Sequence, residues 1–325
     1  MENKIIIQSE SDDKTTDDVL SWLIHLDSKL SNRIILFFDE YLIDKLYIEI
    51  NSKKSSLIIN EVNISFTDNF WYRRGIFRFK KMNLEDNSIL RLEENLTNHN
   101  INPLFNFINH FEHSISINKF DDNELLKLKQ FEECVKIKIN FPDTYILDNK
   151  ADLLNIIKIN KKLISKGIKF PSMLCELTKN ISLSCFSMSR IITINDLENL
   201  PNKFLPSLFQ KYIEKQFEIR SFYLNGKFYS MAIFSQQNEK TKIDFRNYDE
   251  SRPNRNIPYQ LPKQLEKKLD KLMKKLNINC GSFDIIYTPE GKYYFLEVNP
   301  IGQFQWLSYN CNFQLEKTIA NEMLM

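Results

Sequence analysis

Three oxygen-bearing side chains lie close together near the C-terminus of a 325-residue chain. The stretch "GSFDIIYTPEGKYYFLEVNP" carries Asp284, Glu297 and Asn299 inside otherwise apolar runs. Glu297 and Asn299 are two residues apart, so on a strand they point to one face. A turn near Pro289–Gly291 leaves two arms of the right length to bring Asp284 within reach of that pair. Two carboxylates and an amide oxygen form a hard-oxygen set. Such a set suits Mg²⁺, which keeps waters and phosphate oxygens in its shell. By residue type alone, the same letters describe an edge hairpin with solvated polar side chains. The apolar flanks favour the metal, because a buried carboxylate is costly unless it is paired or bound to a cation.

A second set precedes it. "EIRSF" places Glu218 and Arg220 at i and i+2, again on one strand face. A carboxylate there can accept two ribose hydroxyl bonds, and an arginine can meet phosphate with a bidentate fork. An exposed Glu–Arg pair of little energetic consequence is the alternative. "KIDFRNYDESRPNR" then adds Arg246, Asn247, Arg252 and Arg255 in a loop. That is a dense cationic cluster in a chain whose net charge is only +2, and it suits an oligophosphate or acyl-phosphate.

The elements that must position these residues follow from periodicity. "KIIIQ" (4–8) and "RIILFF" (33–38) read as strands around a helix in "TTDDVLSWLIHLDSKL", a βαβ unit with a parallel sheet. "SLIINEVNISF" adds strand, and "SILRLEENLTNHNINPLFNFINHF" reads as helix. "NELLKLKQFEECVKI" is a helix whose apolar face includes Leu125, Leu126, Leu128 and Phe131. "NFPDTYILDNKADLLNIIKIN" gives a turn, a strand and a helix, and "LISKGI" a strand that ends at Gly167. Asn225-Gly226 is the strongest hairpin signal in the chain. "QLPKQLEKKLDKLMKKLNIN" is a helix with an apolar stripe of Leu265, Leu269, Leu272, Met273 and Leu276. These patterns divide an α/β (α+β) chain into 1–122, 123–203 and 204–325.

Composition bounds the rest. Hydrophobic residues make up 42% and charged residues 26%, the balance of a soluble globular protein. A net charge of +2 gives no argument for nucleic acid or a membrane surface. Cys134, Cys175, Cys185, Cys280 and Cys311 are scattered, without zinc spacing or a disulfide framework. No signal-peptide h-region opens the chain, so a cytoplasmic location is expected.

The order of "LISKGI", "FQKYIEK", "EIR", "DFRN" and "LEVNP" resembles the ATP-grasp carboxylate–amine ligases. "FWYRRG", "FRNYD", "RPNR", "NPIGQF" and "YNCNFQLEKTIA" extend the likeness to the graspetide synthetases, which include microviridin-type cyclases and grasp-with-spasm maturases. The resemblance implies an ATP-grasp fold: an N-terminal βαβ domain, then a small central and a C-terminal domain with the nucleotide between them. It implies ATP and two Mg²⁺ ions, with Asp284, Glu297 and Asn299 as metal ligands. It assigns Lys166 to the α/β-phosphates, the Lys211–Tyr212–Ile213 hinge to adenine, Leu296 to the adenine floor and Glu218 to ribose. Arg246 and Asn247 would lie near the γ-phosphate and acyl-phosphate, with Arg220 orienting the substrate carboxylate. Arg73, Arg74 and Arg255 would face an acidic core peptide. Strand alternation allows only one of the adjacent Arg73 and Arg74 in that role.

The implied reaction closes ester or amide rings in a ribosomally made precursor peptide with a leader, and relatives suggest a homo-oligomer, a dimer or higher. Addition of free amino acids to a protein or peptide is the alternative. A non-catalytic leader-binding module is a third reading, disfavoured by the complete ligand set. One departure stands out. No glycine falls between 168 and 203, so the usual phosphate loop lacks its permissive backbone, and Lys179 and Arg190 are the available substitutes.

Overall fold

A computed structural model describes residues 3–52, 55–80, 101–120, 122, 125–168, 172–178, 181–186 and 189–325; for 172–178 and 181–186 it describes the backbone only. The chain divides into two compact units: Met1–Glu124 with Gln303–Met325, and Leu125–Gly302. The sequence division kept the last 23 residues with the segment that precedes them (325 − 302); the structure returns them to the first unit.

The first unit is built on the expected βαβ motif. The Ile5–Ser9 strand pairs parallel with Ile34–Phe38 on one side and with Asn69–Tyr72 on the other. The intervening helix, Lys14–Leu26, starts at Asp13, whose carboxylate accepts from the Thr15 and Thr16 amides and so satisfies two of the helix's orphan donors. "SLIINEVNISF" is a hairpin rather than one strand, because Asn60 and Glu61 adopt positive φ and fold Ser55–Ile59 onto Val62–Ser65. Of the helix expected over 88–111, Asn102–Asn109 is described, and 81–100 lies outside the described residues.

The second unit holds two larger sheets. Thr144–Asn149, Lys203–Lys211, Leu163–Lys166 and Arg190–Ile192 form one, in that order. A separate hairpin, Ser172–Thr178 with Ile181–Phe186, fills the glycine-free segment. The other sheet is antiparallel, in the order Arg255–Tyr259, Lys227–Phe234, Phe217–Leu224, Cys280–Tyr287, Tyr293–Asn299. Asn225 and Gly226, both at positive φ, make its central turn. The Lys263–Leu276 helix packs Leu269, Leu272 and Met273 against one face, together with Ile219, Phe283, Ile285, Phe295 and Val298. Each fully buried side chain of this size contributes about 1.5–3 kcal/mol. The opposite face of the sheet is where the polar residues collect.

The Lys127–Ile137 helix departs from its expected face. Leu126 and Leu128 are exposed, whereas Lys127, Gln130, Phe131, Glu133, Cys134 and Ile137 are buried. The reason lies in its partner: this helix covers the edge strand Tyr293–Asn299, which offers polar groups as well as apolar ones.

Candidate active site

Asp284 and Glu297 stand directly opposite each other on adjacent strands, and Ser282 stands opposite Asn299. The register shifts between Asp284 and Ile285, which pairs with Phe295, so Leu296 is the extra residue of a β-bulge. That bulge decides which side chains face where. Strict alternation would put Phe295 and Glu297 on one face. Instead Phe295 and Val298, three apart, both enter the core, and Glu297 and Asn299 turn away from it.

Each carboxylate has its own cation. Arg220 Nη1 lies 2.7 Å from Asp284 Oδ1, and Lys127 Nζ lies 2.7 Å from Glu297 Oε2. Arg220 sits opposite Asp284 in the strand register, and Lys127 arrives from the first turn of its helix. Burial raises the Asp284 carboxyl above its ordinary range, with Arg220 opposing and Glu297 adding to the rise. Burial acts on Glu297 in the same sense, but Lys127 and Lys166 outweigh it and hold that carboxyl low. Lys166 ends the Leu163–Lys166 strand. Burial pulls its ammonium down to about 8; Lys127 adds to this, while Glu297 and Asp284 oppose it.

Arg246 completes the ring of positive charge. Asp244 grips it in a bidentate pair, at 2.8 Å to Nε and 2.6 Å to Nη2. That bond raises the Arg246 guanidinium, and both site carboxylates raise it further. Asn247, its neighbour, is exposed and donates its side-chain amide to the Lys240 carbonyl at 3.0 Å.

Glu218 and Arg220 share a face, but Glu218 is buried and both its oxygens already accept. Lys215 Nζ donates to Oε1 at 2.6 Å and Ser235 Oγ donates to Oε2 at 2.8 Å. Lys215 also donates to the Ile243 carbonyl at 2.9 Å, which ties the pair to the loop that carries Asp244 and Arg246. In the hinge, the Lys211 amide donates to Asp143 O at 2.9 Å and the Tyr212 amide to Lys162 O at 3.3 Å. Leu296 is half-buried at the bulge.

The remaining sequence candidates have partners of their own. Arg255 pairs with Phe234 in register and sets its guanidinium over that ring at 5.7 Å, on the helix-packed side of the sheet. In the first unit, Arg73 and Arg74 both donate from Nε to Asp13 Oδ2, at 3.0 and 3.1 Å. Alternation therefore does not separate them: they lie just past the end of the Asn69–Tyr72 strand, where the chain leaves the pleat. Arg190 pairs with Asp196 at 2.8 Å, and Lys179 lies outside the described residues.

No protein-family model matches the chain, and none of the curated proteins matches it. Solved structures do. A RiPP-associated ATP-grasp ligase of Chryseobacterium gregarium, in complex with ADP and a leader and core peptide, is 26% identical, with 99% of this chain and 95% of that chain covered and a TM-score of 0.72. The macrocyclase MdnC of Microcystis aeruginosa, bound with precursor peptide MdnA, is 21% identical over 99% of both chains, also with a TM-score of 0.72. The ATP-grasp ligase PsnB, complexed with a phosphomimetic variant of its minimal precursor, Mg and ADP, is 12% identical with a TM-score of 0.69, over 100% of this chain and 98% of that one. The chain has the fold of the ATP-grasp ligases.

The donor set fits magnesium. Among the described residues no group of three or more His, Cys, Asp and Glu side chains forms a metal cluster. The two facing carboxylates and Asn299 therefore offer an incomplete oxygen shell, of the kind that phosphate oxygens and waters fill. Gly302 keeps this corner compact: a Cβ there would come within 2.9 Å of Arg220 Nη2 and of Ser282 Cβ.

Two buried residues beside the paired carboxylates, Lys127 and Gln130, escape a reading by apolar periodicity. They continue the stripe of Cys134 and Ile137 at spacings of three and four. A polar pair extending a buried helical stripe is the available signal.

Proposed function

We propose that this ligase uses ATP to activate an Asp or Glu side chain of a ribosomally made precursor peptide. The activated group is then closed onto a hydroxyl or amine of the same peptide, giving a macrocyclic ester or amide. The observation that carries the reading is the in-register Asp284–Glu297 pair, ringed by Arg220, Lys127, Lys166 and Arg246. The peptide-bound state of the structural homologues supports the substrate class.

The chemistry follows from what a carboxylate lacks. It is a poor acyl donor, so one of its oxygens first attacks the γ-phosphorus and ADP leaves. A hydroxyl or amine then attacks the carbonyl carbon of the acyl-phosphate, loses its proton, and phosphate departs with the original carboxylate oxygen. In our reading Asp284, Glu297 and Asn299 would hold two Mg²⁺ ions, which would offset charge on the transferring phosphoryl group. Lys166 meets the α/β-phosphates. Arg246, held rigid by Asp244, meets the charge that develops at the γ-phosphate, and Arg220 orients the incoming carboxylate. Adenine rests on Leu296 and takes its hinge bonds from the Ile213 amide and hinge carbonyls, because the Lys211 and Tyr212 amides donate within the protein. We assign Glu218 to holding the Arg246 loop through Lys215 and Ser235 rather than to ribose. Asn247 and Arg255 take no step in this scheme.

Oxygen labelling tests the scheme. Short open reading frames beside the gene supply the peptides, with ¹⁸O placed in their side-chain carboxylates. Transfer of one ¹⁸O to inorganic phosphate per bond formed is the expected result. Phosphate without label would exclude the acyl-phosphate.

A further inference from the structure

The Tyr293–Asn299 strand is a sheet edge, and it carries two of the three proposed metal ligands next to a bulge. An edge strand is paired on one side only, and a one-residue slip would turn every side chain to the other face, so groups that bond its free side help to fix its register. Here two groups from outside the sheet bond to its backbone. Gln130 Nε2 donates to the Val298 carbonyl at 3.0 Å, and the Val298 amide donates to Gln130 Oε1 at 2.8 Å. The Gln130 side chain thus acts as one residue of a neighbouring strand. On the other side of the bulge the Phe295 amide donates to the Asn140 carbonyl at 2.8 Å.

We propose that Gln130 is a positioning residue for the metal site. Val298 is the residue between Glu297 and Asn299. With its backbone clamped by Gln130 and its side chain in the core, both neighbours must project to the opposite face. Gln130 is itself 3% exposed, so bulk water has little access to its amide. One helical turn earlier, Lys127 meets Glu297 from the same helix. The Lys127–Ile137 helix therefore supplies both the backbone register and the charge partner of Glu297. Residues that support metal ligands in this way typically change metal affinity about 10–100-fold when replaced.

The inference rests on the metal reading above, and the test separates the two. Mn²⁺ replaces Mg²⁺ as a spectroscopic probe, and its binding to the enzyme–ADP complex is read by electron paramagnetic resonance. ADP affinity in EDTA and the melting temperature are measured beside it. Gln130→Met keeps length and loses both bonds. Its Mn²⁺ affinity is expected to fall about tenfold or more, with metal-free ADP affinity within about twofold of wild type. Gln130→Glu keeps the acceptor for the Val298 amide and loses only the donor, so its affinity should lie between the two; it carries the test if the Met variant does not fold. Unchanged Mn²⁺ affinity in whichever variant folds would overturn the inference, as would an equal loss of metal-free ADP binding. Absence of ADP-dependent Mn²⁺ binding in the wild type would instead overturn the metal site itself, and the role of Gln130 with it.

Discussion

Lys215 and Glu218 form a buried ion pair at 2.6 Å, and the same ammonium reaches the Ile243 carbonyl two strands and a loop away in sequence. Glu218 lies two residues before Arg220 on the same sheet face. The pair therefore links the acid-bearing sheet to the segment that holds Asp244 and Arg246. Burial raises the Glu218 carboxyl even with Lys215 beside it.

Breaking that pair from one side should be severe. Lys215→Met leaves an unpaired buried carboxylate, and a loss of about 3–5 kcal/mol is expected in denaturant unfolding. A raised carboxyl binds its proton in the folded state above the pH at which the unfolded chain does. The deficit therefore shrinks as pH falls and Glu218 becomes neutral. Adding Glu218→Leu should restore part of the stability, a non-additive outcome that contact between the two side chains requires. Strict additivity would contradict the link.

Gly302→Ala probes the packing behind Asp284. The new methyl meets Arg220 Nη2 and Ser282 Cβ at 2.9 Å and the Asn299 carbonyl at 3.1 Å. Arg220 is the mobile partner, so the expected response is a shift of its guanidinium away from Asp284. Turnover should fall about tenfold or more, since displacements on this scale in a positioned site are expensive. ADP release assays would show it. Wild-type turnover in a well-folded Gly302→Ala would contradict the close packing.

His113 should make the first unit acid-sensitive. Its ring stacks on Phe70 at 4.8 Å and meets Phe111 edge-on at 5.6 Å. Burial pulls the imidazole down to about 4, with Asp68 opposing. A lowered folded-state value means that the unfolded chain takes up the proton first. Stability is complete above about pH 6.5 and falls as pH drops toward 4, by at most about 3 kcal/mol. His113→Phe should remove this slope between pH 7 and 5, followed by the fluorescence of buried Trp71. An unchanged slope would assign the sensitivity to another group.

How much of this was readable in the letters depends on how local the cause is. The Asn225-Gly226 turn and the Cys280–Asn299 hairpin were legible, because positive φ and period-two alternation leave a mark within a few residues. The shared face of Glu297 and Asn299 was legible for the same reason. The bulge at Leu296 was not: alternation through Phe295 and Glu297 reads the same with or without it, and only the register with the neighbouring strand reveals the shift. Leu126 and Leu128 misled the reading of the Lys127–Ile137 helix, because apolar counting gives no weight to Lys127 and Gln130. Their burial is caused by partners some 170 residues away, Glu297 and Val298 (298 − 130 = 168). The packing of Gln303–Met325 with the first unit is another long-range outcome. So is the convergence of Arg73 and Arg74 on Asp13.

The central claim is that the Asp284–Glu297 pair drives ATP-dependent ring closure within one peptide. Intact-mass analysis of a precursor peptide incubated with enzyme, ATP and Mg²⁺ tests it most directly, with Glu297→Gln in parallel. The account predicts that the wild type removes one water per bond formed and releases one ADP for each. It predicts at least about 100-fold slower conversion by Glu297→Gln, the scale of several kcal/mol of lost charge stabilisation. A mass gain would instead mean addition of a free amino acid. Conversion by Glu297→Gln at the wild-type rate would contradict the account outright.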